Sequence, residues 1–137
     1  MPISPDVHAA VRALTDRPLV GMLDGQLIAD TEDLYRLLTE VNAQALRLLA
    51  EIDQRGLAAA AGSPTTAAWL RARLKINHGP AKRQVSLATA LTRHQPTAAA
   101  LADATINVEQ AQVITTALDA LPATVLPETV QARRSPW

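Results

Sequence analysis

Seven cations and no carboxylate occupy residues 54–102: Arg55, Arg71, Arg73, Lys75, Lys82, Arg83 and Arg93. Guanidinium and ammonium groups gathered in this way can neutralise phosphates, and no acid in the segment opposes a polyanion. The rest of the chain compensates. Residues 1–53 carry nine acids against four bases and residues 103–137 four against two, so that 13 basic and 13 acidic residues leave no net charge. Two readings stand side by side: a positive surface for nucleic acid, or a basic segment that packs against the acidic N-terminal part and cancels it.

Other chemistry finds few residues. With no cysteine, thiol catalysis, disulfides, iron–sulfur clusters and Cys-ligated zinc are excluded, and a reducing, cytoplasmic compartment is expected. His8, His78 and His94 have no His or carboxylate three or four residues away, so no metal or cofactor is expected. His78 and His94 are read as exposed imidazoles beside helix ends. Glu40 and Glu51 can pair with Arg36 and with Arg47 or Arg55 at four-residue spacing, which makes them, with Asp53, members of a solvated helix face rather than acid–base catalysts. There is no Gly-rich phosphate loop and no Ser-His-Asp arrangement, so the chain is expected not to be an enzyme.

The elements that position these residues are helical throughout. At 137 residues and 48% hydrophobic composition, with no Phe, the chain has the length of one domain and is rich in Ala and Leu at helical spacing. The expectation is an all-α fold of six to seven helices, with residues 1–30 an N-terminal helix and connector, 31–130 the main helical domain and 131–137 a tail. Ser4-Pro5-Asp6 opens the first helix, which stops before Pro18, and residues 16–30 read as the connector because of Pro18, Gly21 and Asp24-Gly25. A spine helix is predicted from Thr31 to Arg55, burying Leu34, Leu37, Leu38, Val41, Ala45, Leu48, Leu49 and Ile52. The same stripe is heptad-like and could pair two copies as a homodimer.

Ala58 to Gly62 reads as a linker, and Ser63-Pro64 as the start of a helix to Leu74 that buries Ala67, Leu70 and Leu74. Lys75-Ile76-Asn77 forms a turn into a helix from His78 to Thr92, and Pro96 opens a short helix to Ala104. Asn107 caps a last helix through Leu121, with Val113, Ile114, Ala117, Leu118 and Leu121 inside, and Pro122 and Pro127 break the pattern. Trp69 is expected mostly in the core. No uncharged stretch reaches the ~18 apolar residues of a membrane span, and residues 1–6 lack a signal-peptide pattern, so a soluble protein without membrane association is expected.

Two helices joined by a three-residue turn have the outline of a helix-turn-helix. On the second, His78, Lys82, Ser86, Thr89 and Arg93 fall within about 80° of one another, opposite the apolar side. These are phosphate- and base-edge-contacting types. With Arg71, Arg73, Lys75 and Arg83 alongside, they form the candidate duplex-DNA-binding set. The bland alternative is the solvated face that any amphipathic helix has.

Several segments resemble a known family. Glu51-Ile52-Asp53-Gln54-Arg55-Gly56-Leu57, Thr66-Ala67-Ala68-Trp69-Leu70, Ala81 through Leu91 with Ala88 and Leu91 in step, and Ile106 through Pro122 with Gln110-Ala111, Val113-Ile114 and Leu121-Pro122 resemble the actinobacterial domain of unknown function two-two-two, which includes the mycobacterial thirteen-E-twelve repeat proteins. The resemblance implies an N-terminal domain that precedes an HNH endonuclease module, and an association with mobile elements. Thr105 departs from the family's common residue there. The His-Asn-His ββα metal site of the full-length relatives is not found in these 137 residues, and truncation or frameshift after Gln131 is the expected cause. The resulting expectation is a non-catalytic DNA-positioning domain of an HNH-associated protein. The alternatives are a helical interaction or oligomerisation scaffold built on the 31–55 stripe, and an inactive remnant of a truncated endonuclease.

Overall fold

The computed structural model describes residues 3–121, and every regular element in them is helical. Seven α-helices follow one another: α1 (Pro5–Ala13), α2 (Asp24–Gln54), α3 (Leu57–Ala60), α4 (Thr66–Leu74), α5 (His78–Arg93), α6 (Gln95–Ala102) and α7 (Val108–Asp119), with a 3-10 turn at Leu14–Asp16. The fold is all-α, as the apolar periodicity requires. The expected breaks at Pro122 and Pro127 and the expected tail at 131–137 lie outside the described residues. The chain divides into two compact units, Met1–Leu34 and Tyr35–Trp137.

In the first unit the Ser4 hydroxyl accepts from the Asp6 N–H and Pro5 occupies the first turn, where its missing donor costs nothing. Asp30 forms an ion pair with Arg17. The expected connector over 16–30 is shorter than the sequence suggests, because α2 begins at Asp24 rather than Thr31. Asp24 and Gly25 are not a turn. The Asp24 carboxylate sits at the positive end of the helix dipole, and the Leu27 N–H already bonds the Leu23 carbonyl at 3.0 Å. Thr31, expected as the cap, instead donates its hydroxyl to the Leu27 carbonyl at 2.7 Å from within the helix. The 31 residues of α2 give it a length of about 46 Å at 1.5 Å per residue.

In the second unit α5 is the central element, packed on α4, α6 and α7. Ala81 of α5 and Ala111 of α7 are completely buried, as is Leu101 of α6. Alanines at such positions let helices approach closely, so a core without Phe still closes. The portion of α2 in this unit contributes Ala43, Leu46 and Leu49. That overturns most of the expected spine stripe, of which only Leu49 is buried while Leu37, Leu38, Val41 and Leu48 are exposed. On α7 the buried side is Ala111, Ile114, Thr115 and Leu118, so the expected stripe is turned, leaving Val113 70% exposed and Ala117 and Leu121 outside. Leu74 is also exposed.

Local capping explains the remaining boundaries. The linker expected over 58–62 is in part helical, since Leu57–Ala60 form the single turn α3. Gly56 precedes it at φ 66°, a left-handed conformation that suits glycine. The cap of α4 is Thr65, whose hydroxyl accepts from the Ala68 N–H at 3.0 Å, not Ser63. Asn107 and Gln110 form a reciprocal capping box at the start of α7, with bonds of 2.8 and 2.9 Å. Thr66 donates its hydroxyl to Asp53 at 2.6 Å, tying the start of α4 to the end of α2.

Candidate nucleic-acid interface

The pair formed by α4 and α5 carries the candidate residues. Helix α4 stops because Lys75 adopts a left-handed conformation, φ 56°, with its N–H on the Arg71 carbonyl. Ile76 packs part-buried against the core and anchors the turn. Asn77 then starts α5 with its backbone carbonyl, which accepts from the Ala81 N–H at 2.9 Å, and its side chain makes no capping bond.

The nine candidates separate into groups. His78, Lys82 and Ser86 are exposed along one face of α5, with Thr89 half-buried at its edge. Arg71, on α4, and Lys75, the left-handed residue that ends it, border a shallow depression of about 420 Å³ together with Ala68, Ala72 and Asn77. Arg73, two residues from Arg71, sits about 160° away around the helix axis and does not share that side. Arg83 departs from the α5 face in a different direction. Its guanidinium lies beside Gly79, and it lines a shallow pocket with Gln84, Val108, Glu109 and Gln112 on the side of α7. Among the described residues, Arg71, Arg73, Lys75, Lys82 and Arg83 make no ion pair.

Arg93, at the far end of α5, is engaged elsewhere: its guanidinium donates to Asp119 at 2.8 Å. The same carboxylate stands 2.6 Å from Nε2 of His94. His94 is 6% exposed, contrary to the expectation of an exposed imidazole at a helix end. Partial burial alone would raise the Asp119 carboxyl, but the hydrogen bonds from His94 and Arg93 and their charge hold it below the ordinary carboxylate value. Asp103 is also lowered, by the Thr105 hydroxyl and then the Thr105 N–H, in the turn after α6. The pairing of His94 with Asp119 spans 25 residues, and no local spacing in the sequence announces it.

Trp69 is half-buried rather than mostly buried, and with Leu70, Leu74, Leu48 and Ile52 it lines an apolar cleft of about 450 Å³. No three His, Asp or Glu side chains among the described residues gather closely enough to hold a metal ion. Nor is any described helix long and apolar enough to cross a membrane.

Residues 28–135 match the family described as "Domain of unknown function (DUF222)". The chain belongs to that family. Neither a curated protein nor a solved structure matches it.

Proposed function

We propose that this chain is a non-catalytic DNA-binding or DNA-positioning domain, contacting the duplex backbone through the turn between α4 and α5 and the outer face of α5. One observation carries the reading: Arg71, Lys75 and Lys82 are exposed on consecutive elements in a stretch of chain without a carboxylate. Such a surface attracts phosphate and repels none of it. Ser86 and Thr89 beside Lys82 supply neutral donors for phosphate or base edges. Arg93 takes a lesser part because Asp119 holds its guanidinium, and Arg73 and Arg83 act only through the general field. The family resemblance supplies the wider setting, in which the domain positions DNA for an HNH endonuclease of a mobile element.

The test is fluorescence anisotropy of the pure chain with labelled duplex DNA at two salt concentrations. Three neutralised phosphates give a log–log salt slope near −2.7, so affinity should fall roughly 40-fold between about 50 and 200 mM salt. The Arg71→Ala, Lys82→Ala double variant should bind more weakly and flatten the slope by about two. Arg12→Ala with Arg36→Ala, outside the basic segment, should change little. Equal effects from both pairs, or no duplex binding at the lower salt, would sink the reading. A helical scaffold is the second reading, favoured by the exposed leucines of α2.

A further inference from the structure

The depression at the turn between α4 and α5 is lined by two kinds of residue. Ala68, Ala72 and Ile76 are apolar, Arg71, Lys75 and Asn77 are polar or cationic, and no acid is among them. Among the described residues the side chains of Arg71, Lys75 and Asn77 make no hydrogen bond or ion pair. A ligand can therefore take all three without breaking a contact of the fold. Its volume of about 420 Å³ falls in the size range of sites for small organic ligands. A lone phosphate takes the room of roughly three waters, at about 30 Å³ each, and leaves most of that space unfilled.

We propose that the depression holds one unpaired nucleotide next to the duplex, an inference that rests on the DNA-binding reading of this surface. Inside a duplex both faces of a base are covered by its neighbours, and the outside presents phosphates, sugars and base edges. Apolar side chains between two cations gain little from those polar groups. They can cover the face of a base that has left the stack, and a shallow site suits a flat ring lying face down. Lys75 supplies a point charge for the nucleotide's phosphate, and the planar guanidinium of Arg71 can lie against the ring. The Asn77 amide, with two donors and an acceptor, meets the base edge.

Fluorescence anisotropy of the whole chain at the lower salt concentration tests this with a blunt duplex, the same duplex with a short single-stranded overhang, and that overhang with its bases removed and its phosphates kept. The overhang should tighten binding about tenfold, as one base held against a protein surface does. The abasic overhang carries the same charge and should lose most of that gain. Ala72→Leu, at an exposed helical position, fills the depression and should abolish the gain while leaving blunt-duplex binding unchanged. Asn77→Ala removes a side chain that makes no capping bond and should reduce the gain alone. A gain that the abasic overhang retains, or that survives Ala72→Leu, would overturn the nucleotide site. Equal binding of blunt and overhung duplexes would also overturn it and leave the duplex reading standing. Overhang binding without blunt-duplex binding would defeat the duplex reading alone, and no binding of any probe would defeat both.

Discussion

His94 Nε2 stands 2.6 Å from Asp119 Oδ1, joining the C-terminal ends of α5 and α7 across 25 residues of sequence. The Asp119 carboxyl is held below its unfolded value, so the stability it contributes is present above that value, near pH ~4, and is lost as pH falls through the lower, folded one. Thermal melts by circular dichroism should show the midpoint falling on acidification below about pH 4. In Asp119→Asn part of that fall should disappear, and the part contributed by Asp103, which is lowered in the same sense, should remain. An unchanged acid profile in the variant would refute the linkage.

Lys75 ends α4 in a conformation that costs an L-residue roughly 1 kcal/mol and costs glycine almost nothing. Lys75→Gly should raise the denaturant-unfolding free energy by about that amount and weaken duplex binding. Opposite signs in the two assays would separate its backbone role from its charge.

Two capping candidates precede α4, and only one of them bonds the helix. Thr65→Ala should cost about 1 kcal/mol, while Ser63→Ala should cost much less. The comparison is made by urea unfolding of the two variants.

On α7, adjacent residues of similar size have opposite surroundings. Ile114, 7% exposed, should lose about 2–5 kcal/mol on truncation to Ala, whereas Val113→Ala, at a 70% exposed position, should fall within about 0.5 kcal/mol of wild type. Equal losses would mean that α7 is rotated from the orientation described.

Order and type of the helices were legible because capping chemistry and apolar spacing are local. Asn107 with Gln110 announces α7, and the Lys75-Ile76-Asn77 turn announces α5. What covers each helix was not legible. The regular apolar spacing of Leu38, Ala45 and Leu48 predicts their burial, but α2 bears a second stripe beginning at Ala43, and nothing local says which one the domain uses. Trp69 is only half-buried because the cleft beside it is open. At the candidate site, the common face of His78, Lys82 and Ser86 follows from one helix's geometry. The same geometry separates Arg73 from Arg71, a distinction lost when the cations are read as a single run. His94 could not be placed, since its partner arrives from the far end of another helix.

The complete burial of Ala81 and Ala111, on the packed helices α5 and α7, has a consequence in the genetic code. A single nucleotide change that replaces the alanine gives Gly, Ser, Thr, Pro, Val, Asp or Glu. Glycine weakens the helix, and every other replacement adds at least one heavy atom where there is no space for it. Beyond the synonymous third-position changes, these two codons therefore have no neighbour that leaves stability untouched, so the protein sequence has little room to drift here even though neither side chain bears a functional group.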